Sequence, residues 1–161
     1  MANANYSYTA FANPIDCDAI DALVERIESS GNSNNKIFNT APKILLIEDT
    51  LLIQRINLIY LRLLGCQVDL AQNGQEALAI FKKGYDLILS DIGLPDMDGT
   101  EVIRMIRQQE GVKRTPIIAL TAFDNFLIKE CIEAGFDDFY VKPLKLEELG
   151  AVLKRWLPQF I

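Results

Sequence analysis

Residues 87–99 read LILSDIGLPDMDG, and their pattern sets the frame for the rest of the chain. Residues 87–90 are a short apolar run of the kind that forms a strand buried on both faces, and Asp91 stands at its exit. Residues 99–109 then supply a helix. Outward from this unit the same alternation appears five times. The other strand candidates are 43–47 (KILLI), 67–71 (QVDLA), 117–120 (IIAL) and 139–141 (FYV). Between them, Leu52, Ile56, Ile59 and Leu63 form a helical stripe ended by Gly65. Asn73 can cap a second helix that carries Ala77, Leu78 and Phe81 and ends at Gly84. Residues 125–134 supply the fourth helix. Leu146, Leu149, Val152, Leu153 and Trp156 form the buried face of the fifth. A (βα)₅ order with continuous apolar strands predicts a parallel sheet covered on both faces, an open doubly wound α/β sandwich. In such sheets the functional crevice lies at the carboxyl ends of the strands, near the reversal of strand order.

Composition narrows what that crevice can do. Of 161 residues, 50% are apolar and 24% charged, which suits one globular domain with a short appendage. Sixteen basic against 22 acidic residues give a net charge of −6, so the overall field disfavours direct nucleic-acid binding. There is no histidine. That removes Ser-His-Asp and Cys-His hydrolases, His-ligated metal sites and any internal phosphohistidine. Cys17, Cys66 and Cys131 lack CxxC spacing and read as reduced, apolar core residues. Neither a membrane span nor a signal peptide is evident, so a cytoplasmic location without membrane contact is expected.

The composition shifts near residue 42, which divides an extension (1–42) from the main domain (43–161). Residues 29–41 (SSGNSNNKIFNTA) have the makeup of a solvated linker. Upstream, Ile20, Leu23, Val24 and Ile27 fall at amphipathic helical spacing, with Asp16 or Asp18 as caps and Gly31 as terminator. The apolar stripe of this helix has three readings open to it: packing on the main domain, self-pairing, or continuation of a longer coiled coil.

Polar chemistry gathers at the strand exits. The first strand leads into Glu48 and Asp49, the third into Asp91, the fourth into Thr121 and the fifth into Lys142. Each alone is ordinary: an acidic pair caps helices, an aspartate sits in turns, and a lysine before proline is a surface residue. One per strand exit in a single domain is a constellation. Three converging carboxylates repel one another and raise one another's pKa, and a hard divalent cation offsets that charge, Mg²⁺ being the natural choice.

With these residues in place, residues 43 to about 157 resemble the receiver domain of two-component response regulators. The resemblance is carried by IED at the first exit, LILSDIGLPDMDG at the third, LTA at the fourth and YVKP at the fifth. It implies a flavodoxin-like sheet of order 2-1-3-4-5. It also implies that Asp91 accepts a phosphoryl group, with Mg²⁺ held by Glu48, Asp49, Asp91 and the Gly93 carbonyl. Thr121 would donate its hydroxyl to a phosphoryl oxygen, and Lys142 would pair first with the carboxylate and then with the phosphoryl group. A cis Lys142-Pro143 bond would aim that lysine into the crevice. Thr121 and an inward-swinging Phe139 would form the switch, altering the surface of the fourth helix, fifth strand and fifth helix for a downstream protein. Tyr140 alternates to the other side of the strand.

With no histidine of its own, the chain would take the phosphoryl group from a histidine kinase, a histidine phosphotransfer protein or a small acyl phosphate. It would not be a turnover enzyme by itself. Gly93 offers no side chain to the phosphoryl group and Phe123 could shield it, so slow dephosphorylation is expected. The expected setting is the receiver of a hybrid histidine kinase, residues 1–42 being the tail of a preceding region. The alternative is a single-domain regulator acting by protein contact, since no length follows the fifth helix for a DNA-binding domain; a homodimer is a further option. A haloacid-dehalogenase-like phosphatase is the enzymatic rival, but it wants an aspartate where Gly93 stands, and no cap domain fits the length. A flavodoxin lacks support because EDTLLIQ replaces a phosphate-cradling loop, and no Walker A or GxGxxG motif occurs. A degenerate receiver that only docks would not need the full acid, threonine and lysine set.

Overall fold

The computed structural model of the chain describes residues 22, 26, 41–122 and 128–160. The chain divides into two compact units, Met1–Ser33 and Asn34–Ile161. In the first, Ala22 and Arg26 are helical and exposed. The stripe expected there (Ile20, Leu23, Val24, Ile27), Cys17 and residues 29–40 of the linker lie outside the described residues.

The second unit runs β1 (Lys43–Ile47), α1 (Leu51–Leu63), β2 (Gln67–Ala71), α2 (Gly74–Ile80), β3 (Leu87–Asp91), α3 (Gly99–Gln109), β4 (Ile117–Thr121), α4 (Ile128–Ala134), β5 (Asp138–Val141) and α5 (Leu146–Trp156). The five strands form one parallel sheet in the order β2-β1-β3-β4-β5. Register follows the pleat. Ile44, Leu46, Leu87, Leu89, Ile118 and Leu120 face one way, packing with Leu61 of α1 and Leu149, Val152 and Leu153 of α5. Their strand neighbours Leu45, Ile47, Ile88, Ile117 and Ala119 face the other way, against Val102, Ile103 and Ile106 of α3 and Cys131 and Ala134 of α4. Continuous apolar strands thus feed two cores, the physical reason that no alternation with polar residues shows in the central three.

Several boundaries differ from expectation. Asp91 and Thr121 are the last residues of β3 and β4 rather than the first beyond them, because ladder pairing continues one residue past the apolar run: Asp91 opposes Leu120, and Thr121 opposes Val141. β5 begins at Asp138. Phe81 lies in a 3₁₀ turn, Phe81–Lys83, after α2 has ended. The fourth helix is described from Ile128, and residues 123–127 lie outside the described set. The stripe assigned to α1 is rotated. Leu52 and Leu63 are exposed, whereas Gln54, Asn57, Ile59 and Leu61 are buried. Two polar residues occupy that inner face, so counting apolar positions alone misplaces it.

At the amino end of the sheet Arg107 ties α3 to β4 and β5. Its guanidinium donates to the carbonyls of Gly135 (2.8 and 2.9 Å) and Thr115 (2.7 Å), to Glu110 (2.8 Å) and to Asp137 (2.7 Å). Asp137 in turn accepts the Ile117 amide at 2.8 Å. Gly135 has φ +108°, and a β-carbon there would sit 2.8 Å from Arg107 Cγ, so glycine is required on both counts. Among the described residues, no helix is long and apolar enough to cross a membrane.

Candidate functional site

At the carboxyl end of the sheet, β1 sits between β2 and β3, the point where strand order reverses. Glu48 and Asp49 follow β1, and Asp91 ends the neighbouring β3. One carboxylate oxygen from each lies within 4.8 Å of the others. Glu48 is fully buried, Asp91 is 6% exposed and Asp49 faces solvent. Lys142, just past β5, reaches across to this group: its Nζ is 2.7 Å from Asp91 Oδ2 and 3.1 Å from Glu48 Oε2. The Lys142-Pro143 bond is cis.

Each carboxylate is also held by backbone. Glu48 Oε1 accepts the Thr50 amide at 3.0 Å, and Asp91 Oδ1 accepts the Gly93 amide at 3.1 Å. Gln54, buried in α1, donates through Nε2 to the Glu48 carbonyl and so fixes the turn on which both acids stand. This residue escaped sequence reading because an isolated glutamine inside a helix carries no signal; its buried contact with the strand exit is visible only in three dimensions.

Electrostatics follow from this packing. Burial pushes the Glu48 carboxyl above its ordinary pKa, and the Thr50 amide and Lys142 ammonium only partly oppose it. For Lys142, burial favours the neutral amine, but hydrogen bonds and charge from Asp91 and then Glu48 outweigh it and hold the ammonium above its usual pKa. Three carboxylates against one ammonium leave two surplus negative charges, which a divalent cation with oxygen ligands would offset. The donor set is hard oxygen throughout. One partly exposed edge, at Asp49, would leave room for the waters that Mg²⁺ keeps, so these residues fit that ion.

Two of the remaining predicted residues adjoin the same end. Thr121 closes β4, the strand between β3 and β5, and its carbonyl accepts the Lys142 amide at 2.7 Å. Gly93 is exposed, and a β-carbon there would meet open space. Phe139 is 38% exposed on β5, while Tyr140 packs into the α5-side core with its hydroxyl 3.1 Å from Asp138. Phe123 lies outside the described residues. Glu48, Asp49, Asp91 and Lys142 are thus brought together directly, whereas Thr121 and Gly93 lie on the adjoining strand end and loop, and Phe139 lies inside β5 opposite Ala119.

Comparison with known proteins agrees in fold and sequence. The response regulator receiver domain family matches residues 44–154. Hybrid signal transduction histidine kinase F of Dictyostelium discoideum is 37% identical over 124 residues, which cover 73% of this chain and 11% of that protein. The receiver domain of sensor histidine kinase PA1611 from Pseudomonas aeruginosa, solved with a magnesium ion coordinated in its active site cleft, is 40% identical. It has a TM-score of 0.68 and covers 73% of this chain and 98% of that one. A co-crystal structure from Saccharomyces cerevisiae pairs the histidine phosphotransfer protein Ypd1 with the receiver domain of its downstream response regulator Ssk1. It is 29% identical with a TM-score of 0.67, over 76% of this chain and 93% of that one. This chain spans only a small part of the curated kinase it resembles.

Proposed function

Because the chain belongs to the response regulator receiver domain family, we propose that Asp91 is its phosphoacceptor in a phosphorelay, with Glu48, Asp49, Asp91 and the Gly93 carbonyl holding Mg²⁺. The observation that carries this reading is the approach of Lys142 Nζ to 2.7 Å from Asp91 Oδ2, beside two further carboxylates. The donor is a phosphohistidine on a histidine kinase or phosphotransfer protein, or a small acyl phosphate, since these residues hold no histidine that could donate from within. With phosphohistidine, an Asp91 oxygen forms the new bond to phosphorus as the phosphorus–nitrogen bond to imidazole breaks, and the imidazole leaves with the bonding pair. Mg²⁺ held by Glu48, Asp49 and Asp91 would supply positive charge at the phosphoryl oxygens. Lys142 supplies the rest, moving from the carboxylate to a phosphoryl oxygen, and the Thr121 hydroxyl donates to another.

The switch then runs through Thr121 and Phe139, the latter 38% exposed on β5. The downstream protein contacts the α4, β5 and α5 face. A hybrid histidine kinase is the favoured setting, supported by the likeness to a hybrid signal transduction histidine kinase, with the domain on its cytoplasmic side. A single-domain regulator is the second reading. A phosphatase of the haloacid-dehalogenase type is not favoured, because position 93 lacks the carboxyl side chain that would serve as general acid.

Incubation with phosphoramidate or acetyl phosphate and Mg²⁺, followed by intact-mass measurement, tests the proposal. One phosphoryl group is expected on the wild-type chain and none on Asp91→Asn. Turnover of a generic phosphate ester by the wild type would overturn it.

A further inference from the structure

The loop leaving Asp91, residues 92–98, is gripped by the starts of two helices. Asp98 caps α3, its Oδ1 accepting the Thr100 amide (2.8 Å) and hydroxyl (2.9 Å). Gly99 donates to the Ile92 carbonyl at 2.9 Å, and a β-carbon on Gly99 would lie 2.6 Å from the Asp91 carbonyl oxygen. Gly93 and Asp98 pair in an isolated antiparallel bridge. The two ends of the loop are therefore pressed together, leaving Asp96 and Met97 on its outer bend.

Those two residues reach α2, some twenty positions away in sequence. Asp96 Oδ1 accepts the Gly74 amide at 2.8 Å and Oδ2 accepts the Gln75 amide at 2.9 Å. The next two amides, of Glu76 and Ala77, are satisfied by the side chain (2.8 Å) and carbonyl (3.1 Å) of Asn73. The Ala77 bond is the first of the helix's own ladder, so the amides of Gly74, Gln75 and Glu76, which have no carbonyl four residues back within the helix, are all given partners, two of them lent by the loop. Met97 adds an apolar seat, since a β-carbon on Gly74 would fall 2.6 Å from its Cγ. The paired amides also hold the Asp96 carboxyl below its usual pKa, although the group is solvent-exposed.

An exposed carboxylate that buries nothing, yet spans two amides of another helix, acts chiefly as a tie. We infer that Asp96 is a positioning residue that fixes the 92–98 loop against α2 and thereby holds the Gly93 carbonyl where a divalent cation at Asp91 can use it. The inference rests on the reading of Asp91 and its metal given above. Coupling of this kind is reciprocal: what steadies the loop at one end steadies the helix amides at the other.

Mg²⁺ titration of the full chain by calorimetry tests it, on wild type, Asp96→Ala and Asn73→Ala. Asn73→Ala removes a cap from the same helix but leaves the loop tie in place. Asp96→Ala is expected to weaken Mg²⁺ binding by about tenfold, the scale seen when a partner behind a metal ligand is lost, with Asn73→Ala near wild type. Mg²⁺ should also slow hydrogen exchange at the Gly74 and Gln75 amides of the wild type, and not in Asp96→Ala. Wild-type affinity in Asp96→Ala overturns the inference. Equal weakening by both variants overturns it too, because helix stability would then be the cause. If the wild type neither binds Mg²⁺ nor accepts a phosphoryl group, the Asp91 reading itself falls; if it does both and only the Asp96 result fails, that reading stands.

Discussion

Lys142 bridges Asp91 and Glu48, with its ammonium 2.7 Å from one carboxylate and 3.1 Å from the other, so two acids on adjacent strands share one cation from a third. Removing the ammonium leaves two buried carboxylates without their common counter-charge. Lys142→Met should therefore lower the urea midpoint of the metal-free protein at neutral pH, and Mg²⁺ should restore part of the loss. No change in midpoint would contradict the role of this bridge.

The Glu48 carboxyl is raised by burial despite its partners, so the folded state holds its proton more tightly than the unfolded chain does. Its contribution to stability is complete below the ordinary pKa of 4.5 and is lost as pH rises through the higher folded value. At neutral pH, where the unfolded chain has lost this proton, the buried acid therefore works against the metal-free fold. Glu48→Gln should raise metal-free stability at pH 7, and the gain should shrink toward pH 4. Urea titrations across that range would show it.

Arg107 makes its contacts almost entirely out of water, at 11% exposure, beside Asp137 at 15% and Glu110 at 12%. Replacing it with methionine leaves the part-buried Glu110 carboxylate without its cation and the Thr115 carbonyl without its guanidinium donor, while Asp137 and the Gly135 carbonyl keep only the more exposed Arg114. A loss of about 3–5 kcal/mol is expected by chemical denaturation, while any protein that folds should still be phosphorylated on Asp91. Retained stability would show that the network is dispensable.

Position 93 presents no side chain to orient an attacking water, and its surroundings are open. The phosphorylated form should persist for minutes or longer in Mg²⁺, measured by loss of the phosphorylated mass after donor removal. A half-life of seconds would refute the expectation.

Cys66 is buried and its thiol is pushed up to about 11, while Cys131 is raised by burial and by Glu130 and Asp98. Since the thiolate is the reacting species, both should resist a disulfide reagent at pH 8 in a Cys17→Ser background and react only on unfolding. Rapid modification of either in the folded protein would count against this packing.

The sheet and the acidic exits were legible because they depend on local pattern: short apolar runs such as KILLI and IIAL, each followed by a polar residue where the strand leaves the core. Other features depend on distant partners. The inner face of α1 was misjudged because Gln54 is buried to hold the Glu48 carbonyl, a purpose no helical periodicity encodes. Strand ends at Asp91 and Thr121 were set one residue short because pairing, rather than hydrophobicity, decides where a ladder stops. Asp96 and Arg107 have partners far off in sequence, in α2 and at the starts of β4 and β5, which no local pattern names.

The order of the sheet leaves β2 and β5 on its rims, each paired with one strand only among the described residues. β5 is four residues long, starts at Asp138 and is followed closely by Pro143; β2 carries Asp69 at its middle. Short length, charge and a nearby proline discourage a neighbouring molecule from annealing onto such a rim. Copies of this domain crowded together should therefore avoid fusing strand to strand, even where Phe139 and Val141 are bared for other company.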